Sequence, residues 1–184
     1  MGNGAAYAFP GGTMWYAIQV IGGRENTVLA EIKRTVDPEC YKEVFAPKFE
    51  TQKKIRGEWV TVTAPLLPGY LIVDTRQIDA FSTQLRKVKA LTKVLGSNES
   101  FIPLTRPEMD WLNSFTNKPH HIVGLSTAVK EGDRIVITSG PLMRHEGLIK
   151  SINRRKSLAF LEIQMFGRTI TTKVGLAILR KQDR

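Results

Sequence analysis

Residues 15–21 form an apolar, β-prone run that Gly22-Gly23 ends with a turn signal. Val28, Leu29 and Ile32 then share one face of residues 24–34, the spacing of an amphipathic helix, which Asp37-Pro38 stops. Residues 44–55 and 59–63 predict two strands joined by a hairpin at Arg56-Gly57. Residues 66–73 are a further apolar run, broken by Pro68-Gly69, and its second half has the composition of a buried strand. Ile78, Phe81, Leu85 and Val88 fall at steps of three and four, predicting a helix that leaves Arg86, Lys87 and Lys89 outside. Residues 91–95 predict a short strand closed by Gly96. Thr105 and Glu108 then read as a capping box around Pro107, and Met109, Leu112 and Phe115 form an apolar stripe. The order β-α-β-β-β-α-β-α predicts an α+β sandwich with its helices on one mixed sheet.

Residues 117–127 lack periodicity, contain Pro119 and Gly124, and read as a linker. Beyond them the period changes to two. Ile135 and Ile137 alternate with Arg134, Val136 and Thr138, and Leu161, Ile163 and Met165 alternate with Glu162, Gln164 and Phe166. Gly132-Asp133, Gly140-Pro141, Gly147 and Phe166-Gly167-Arg168 punctuate these runs. Five short strands without a helix predict a small, strongly bent β-barrel. Such a barrel has no room for a catalytic pocket, but its loops are open to RNA or protein.

Charge sharpens this picture. The 184 residues carry a net charge of +10, which points to a polyanionic partner. Residues 126–184 hold 12 Lys and Arg against 5 Asp and Glu, a net +7; the remaining 15 and 12 leave +3 for residues 1–125. The C-terminal part therefore carries most of the positive field. The single cysteine, Cys40, excludes an internal disulfide and fits a reducing, cytoplasmic setting. No run approaches the roughly 18 apolar residues of a membrane span. Residues 1–13 lack charge and a hydrophobic core segment and are expected to be a non-native extension. Asn98-Glu99-Ser100 is a glycosylation sequon that nothing directs to a secretory route. His120-His121 have no Cys or acidic cluster at ligand spacing, and no Walker loop, nucleophile elbow or HExxH occurs. An enzyme is not expected, nor are catalytic residues, a metal or a cofactor.

Gly132-Asp133 through Gly140-Pro141, Gly147 and Phe166-Gly167-Arg168 resemble the KOW domain of the NusG transcription elongation factors. Trp15-Tyr16-Ala17, Arg24-Glu25-Asn26 and Pro68-Gly69-Tyr70 look like the NusG N-terminal domain. The resemblance covers residues 14–181. It implies an N-terminal NGN-type α/β sandwich over 14–116, a linker at 117–127, and an SH3-like KOW barrel over 128–184. Arg56-Gly57-Glu58-Trp59, the Leu91–Gly96 stretch and residues 162–168 are most similar to the specialised antiterminator paralogue LoaP. That likeness implies a monomer whose first domain sits on the clamp helices of RNA polymerase. Its second domain would hold a nascent RNA hairpin, giving processive antitermination. The alternative is a general elongation factor whose KOW domain docks a termination factor or ribosomal protein; KOW motifs also occur in ribosome-associated proteins.

Two sets of candidate contacts follow. Adjacent Leu66 and Leu67 cannot both point inward on a regular strand, so one is expected to face out or the pair to sit in an irregular turn. With Pro68 and Tyr70 they form the expected polymerase surface, and Trp15 and Tyr16 read either as core or as part of it. Arg144, His145, Lys150, Arg154, Arg155, Lys156, Arg168 and Lys173 crowd the turns and adjoining strands of the barrel, where their fields add toward RNA phosphates. Leu142-Met143-Arg144-His145-Glu146 and Asn153-Arg154-Arg155-Lys156 are more basic than the housekeeping pattern, favouring RNA over a protein partner. Exposed aromatics are scarce in the barrel, so a shaped hairpin is expected rather than a stacked single strand.

Overall fold

The structure, a computed structural model, describes Gly12, residues 14–96 and residues 100–179. Apart from Gly12 the expected N-terminal extension lies outside the described residues, as do Asn98 and Glu99 of the sequon. The chain folds as mixed α+β in the order β1 (Trp15–Val20), α1 (Glu25–Thr35), β2 (Glu43–Phe45), β3 (Lys48–Ile55), β4 (Glu58–Pro65), β5 (Tyr70–Asp74), α2 (Ile78–Leu85), β6 (Thr92–Val94), α3 (Arg106–Phe115), β7 (Ile122–Val123), β8 (Ser126–Glu131), β9 (Arg134–Ser139), β10 (Ile149–Asn153), β11 (Leu158–Met165) and β12 (Arg168–Leu179). Two compact units divide it, Met1–Ala46 with Pro68–Arg106, and Pro47–Leu67 with Pro107–Arg184.

The first unit is built on a four-stranded sheet of order β2-β5-β1-β6. All three of its ladders are antiparallel, with Ile18 opposite Leu71 on one side and Val94 on the other. The mixed sheet expected from sequence is thus corrected: β3 and β4 leave it for a sheet of their own. Tyr16, Ile18 and Val20 project from alternate positions of β1, and Leu71 and Val73 from β5, into a core closed by Val28 and Ile32 of α1 and Phe81 and Leu85 of α2. Tyr41 stands edge-on to Phe81, ring centroids 5.7 Å apart. Helix α2 stops at Leu85, one turn short of the expected stripe; Val88 is still buried, its N–H bonded to the Leu85 carbonyl at 3.0 Å.

The single strand expected over 44–55 is two strands in different sheets. Pro47 interrupts the ladder because it has no N–H to donate, and its carbonyl instead accepts the Leu66 N–H at 2.8 Å. The β3–β4 hairpin itself forms as expected. Arg56 and Gly57 both adopt positive φ, 51° and 92°, the two-residue turn whose twist matches its strands.

In the second unit that hairpin joins β7 in the order β4-β3-β7, so a strand lies within the stretch read as a linker. Strands β8 to β12 form a five-stranded sheet of order β10-β11-β12-β8-β9. Its long β11–β12 pair runs antiparallel from Leu158–Gly175 to Met165–Arg168, and β12 then pairs β8 in parallel. Alternation places Leu161, Ile163 and Met165 inside and leaves Glu162 and Gln164 exposed, as the period of two requires. Helix α3 buries Met109, Leu112 and Phe115. Glu108 Oε1, expected in a capping box, accepts the backbone N–H of Phe166 at 2.6 Å.

Candidate functional site

The basic turn between β10 and β11 is held from several sides. Arg154–Lys156 form a single 3-10 turn, and the Asn153 carboxamide oxygen accepts the Lys156 N–H at 3.0 Å. Ser157 follows in the left-handed region, φ 52°, and turns the chain into β11. Its carbonyl accepts two donors, the Leu176 N–H at 2.8 Å and the Thr51 hydroxyl at 3.2 Å. The first donor comes from β12 and the second from β3, so the turn is fixed against both strands. Close packing continues along the same line. A Cβ on Gly175 would overlap the Glu50 carbonyl, and the Thr172 hydroxyl donates to the Leu66 carbonyl.

This packing brings distant basic residues together. Arg155 and Lys156 from the turn, Lys173 from β12, and Lys53 and Lys54 from β3 line one groove of about 520 Å³. Trp59, opposite Lys54 in the hairpin register, stands in it with 55% of its surface exposed. Thr51, Gln52 and Leu158 complete the lining, which contains no carboxylate. Such a surface can hold a polyanion and offer a flat ring to it. It has no nucleophile paired with a base, the minimum for covalent catalysis.

Three of the eight residues expected to contact RNA therefore converge: Arg155, Lys156 and Lys173. Arg154 is exposed on the same turn. The other four do not line the groove. Lys150 lies 3.8 Å from the Glu162 carboxylate, a surface ion pair of small energetic weight. His145 is half-buried, its ring edge-on to Phe115 with centroids 5.0 Å apart and its Nδ1 3.0 Å from the Pro141 carbonyl oxygen. Arg144 is exposed at positive φ, 71°, and Arg168 is exposed at the start of β12. Lys53, Lys54 and Trp59 were missed from sequence. Their available signal was the alternation of basic and apolar residues on both sides of Arg56-Gly57, and the barrel's scarcity of exposed aromatics is relieved by a ring from another element.

The expected polymerase set is changed more. Leu66 and Leu67 are both buried, at 0% and 1% exposure, correcting the expectation of an outward-facing leucine. They follow the end of β4, where the chain is irregular and side chains need not alternate. Trp15 and Tyr16 are core residues. Trp15 packs edge-on against Phe45 at 5.2 Å, and burial, with Asp79 nearby, pushes the Tyr16 phenol above its ordinary range. Pro68 is exposed and Tyr70 half-buried. The loop carrying them is anchored at Gly69, φ 83°, whose N–H reaches Glu25 Oε1 at 2.8 Å and whose carbonyl accepts the Val20 N–H at 2.8 Å.

Among the described residues no group of three or more His, Cys, Asp or Glu is placed to hold a metal ion, and no helix is long and apolar enough to cross a membrane. Cys40 is buried.

Comparison with known proteins gives a consistent family. The chain is 21% identical over 175 residues to the transcription termination/antitermination protein NusG of Rickettsia typhi, covering 92% of this chain and 90% of that protein. It is 24% identical over 179 residues to the protein of the same description from Staphylococcus carnosus, covering 93% and 97%. A solved structure described as domain interaction in Thermotoga maritima NusG is similar at 22% identity and a TM-score of 0.47, over 90% of this chain and 93% of that one. The family described as transcription termination factor nusG matches residues 13–113, more than half of the sequence, and the chain belongs to that family.

Proposed function

We propose that the chain is a polymerase-bound antitermination factor, of the LoaP type within its family, that captures a hairpin in the nascent transcript. NusG-family proteins are non-enzymatic transcription factors that bind RNA polymerase. In this reading residues 14–116 act as an NGN-type domain on the polymerase clamp helices, with Pro68 and Tyr70 as the accessible contacts. Residues 117–127 link it to a KOW-type, SH3-like barrel over 128–184. Arg154, Arg155 and Lys156 provide the RNA contact. Tethering the transcript to the machine that makes it raises the local concentration of each partner for the other, so modest affinity at each site suffices.

The observation that carries this reading is the basic turn: three consecutive exposed cations on a backbone fixed by Asn153, Leu176 and Thr51. Fixed guanidinium groups lose less entropy on binding and suit bidentate contact with phosphate. The test is a mobility-shift series on leader hairpins at several salt concentrations, with polymerase capture scored on the same preparations. Changing Arg154 and Arg155 to Ala is expected to weaken hairpin binding and flatten its salt dependence by roughly one log unit per arginine, leaving polymerase capture intact. Equal hairpin affinity in wild type and variant, or no preference for hairpin over plain duplex, would favour a general elongation factor with a protein-docking barrel.

A further inference from the structure

We infer that the groove around Trp59 is a site for an unpaired segment of RNA, with one base stacked on the indole and adjoining phosphates held by Lys53, Lys54, Arg155, Lys156 and Lys173. The inference rests on the RNA-binding reading above and specifies a second, structurally distinct contact within it.

Charge comes first. The five cations reach the groove from three separate stretches of sequence, and no carboxylate lines it. A cationic groove without acidic groups selects a polyanion over a mixed-charge protein surface. Trp59 then narrows the polyanion. An indole more than half exposed among ammonium and guanidinium groups offers the flat face that every nucleobase stacks on. A base inside a duplex is already stacked and cannot reach that face, and the deep, narrow major groove of A-form RNA excludes a side chain of this size. The occupant is therefore single-stranded. Size agrees, since about 520 Å³ lies within the roughly 300–1,000 Å³ that takes a small molecule and admits a nucleotide or two of a strand running through.

The frame is rigid where it needs to be. Thr51, on the groove floor, donates to Ser157 immediately after the basic turn, and Lys173 adjoins Thr172, whose hydroxyl bonds the Leu66 carbonyl. Hairpin and turn thus keep their spacing before a strand arrives, which lowers the entropic cost of capture. A leader hairpin with an unpaired flank could engage the basic turn through its stem and the groove through its flank.

The test uses the full chain and a fluorescently labelled twelve-nucleotide oligouridylate, read by anisotropy. Controls are the DNA counterpart, a blunt hairpin and an acidic peptide as competitor. Trp59→Ala is expected to weaken oligouridylate binding roughly 5- to 150-fold, the range for losing one stacked base, while Trp59→Phe retains most of the affinity. Lys53→Ala with Lys54→Ala should lower the salt slope by about 0.7 for each phosphate no longer neutralised. Blunt-hairpin binding should be indifferent to Trp59. Because Trp59 is exposed, thermal melts of its variants should match wild type. Unchanged oligouridylate affinity in Trp59→Ala, tighter binding of DNA than RNA, or full displacement by the acidic peptide would overturn the assignment. If Arg154→Ala with Arg155→Ala abolishes hairpin binding while Trp59→Ala changes nothing, the groove fails and the antitermination reading survives. If the chain binds no RNA at all, both fail.

Discussion

The Glu25 carboxylate accepts the backbone N–H of Gly69 at 2.8 Å, joining the first turn of α1 to the loop before β5. Glu25 is 3% exposed although it is charged, so the bond is made where water cannot replace it. Its place in the first helical turn also sets the carboxylate against the positive end of α1. Glu25→Ala is expected to cost about 2 kcal/mol, the range for a hydrogen bond to a charged group; Glu25→Gln, which keeps an acceptor, should cost less. The check is unfolding followed by Trp15 fluorescence in a Trp59→Phe, Trp111→Phe background. Amide exchange at Gly69 should accelerate in the alanine variant.

Gly69 itself supplies a second prediction. At φ 83° an alanine is strained, and its Cβ would lie 3.4 Å from the Val20 carbonyl oxygen. Gly69→Ala is expected to cost about 1–2 kcal/mol in the first unit. If Pro68 and Tyr70 contact polymerase as proposed, the same change should weaken polymerase capture several-fold while leaving RNA binding untouched. Capture assays on the two variants, Gly69→Ala and Tyr70→Ala, measure this directly.

Gly175 carries the closest backbone approach in the second unit. An alanine methyl there would overlap the Glu50 carbonyl, a group that cannot swing aside as a side-chain tip can. Gly175→Ala is expected to destabilise this unit by about 3 kcal/mol, the upper range of overpacking. The displacement should also break the bond from the Thr51 hydroxyl to the Ser157 carbonyl. Loss of oligouridylate affinity without any change at Trp59 would then show that the spacing between β3 and the basic turn matters. A crystal structure or hydrogen-exchange map of the variant checks the displacement.

How far the sequence reached depended on the range of the interactions. Local signals sufficed for β1, α1, α3 and the Arg56-Gly57 turn, because periodicity and turn chemistry act over a few residues. Pro47 was visible too, yet its effect on the strand over 44–55 depended on the Leu66 N–H finding the Pro47 carbonyl, a partner nineteen positions away. Leu66 and Leu67 misled because the alternation rule holds only inside a strand, and β4 ends at Pro65. In the candidate site, Arg155, Lys156 and Lys173 were legible as charge. Trp59, Lys53 and Lys54 were not assigned to it, since only the approach of β12 to β3 places them there.

Asp74 gives the chain a pH dependence that can be signed in advance. It is buried at the end of β5, and burial raises its pKa above the ordinary 3.8. Hydrogen bonds from the Trp15 side chain and the Met14 backbone, and the charge of Lys42, oppose that rise without cancelling it; the Glu43 charge adds to it. The folded state therefore holds this proton to higher pH than the unfolded chain does. Between the unfolded value and the raised folded value, the folded state binds more protons, so stability falls as pH increases. The contribution is full below the unfolded value and lost once pH passes the folded one. Asp74→Asn removes the titration but keeps a side-chain oxygen as acceptor. It should therefore flatten the acid-to-neutral slope and raise stability at neutral pH relative to wild type, with the advantage disappearing below the ordinary carboxylate range. Denaturant midpoints of both proteins across that interval, read by Trp15 fluorescence, measure the difference; a wild-type curve that instead climbs with pH while the variant stays flat would place a charge-stabilising partner on Asp74 in place of burial.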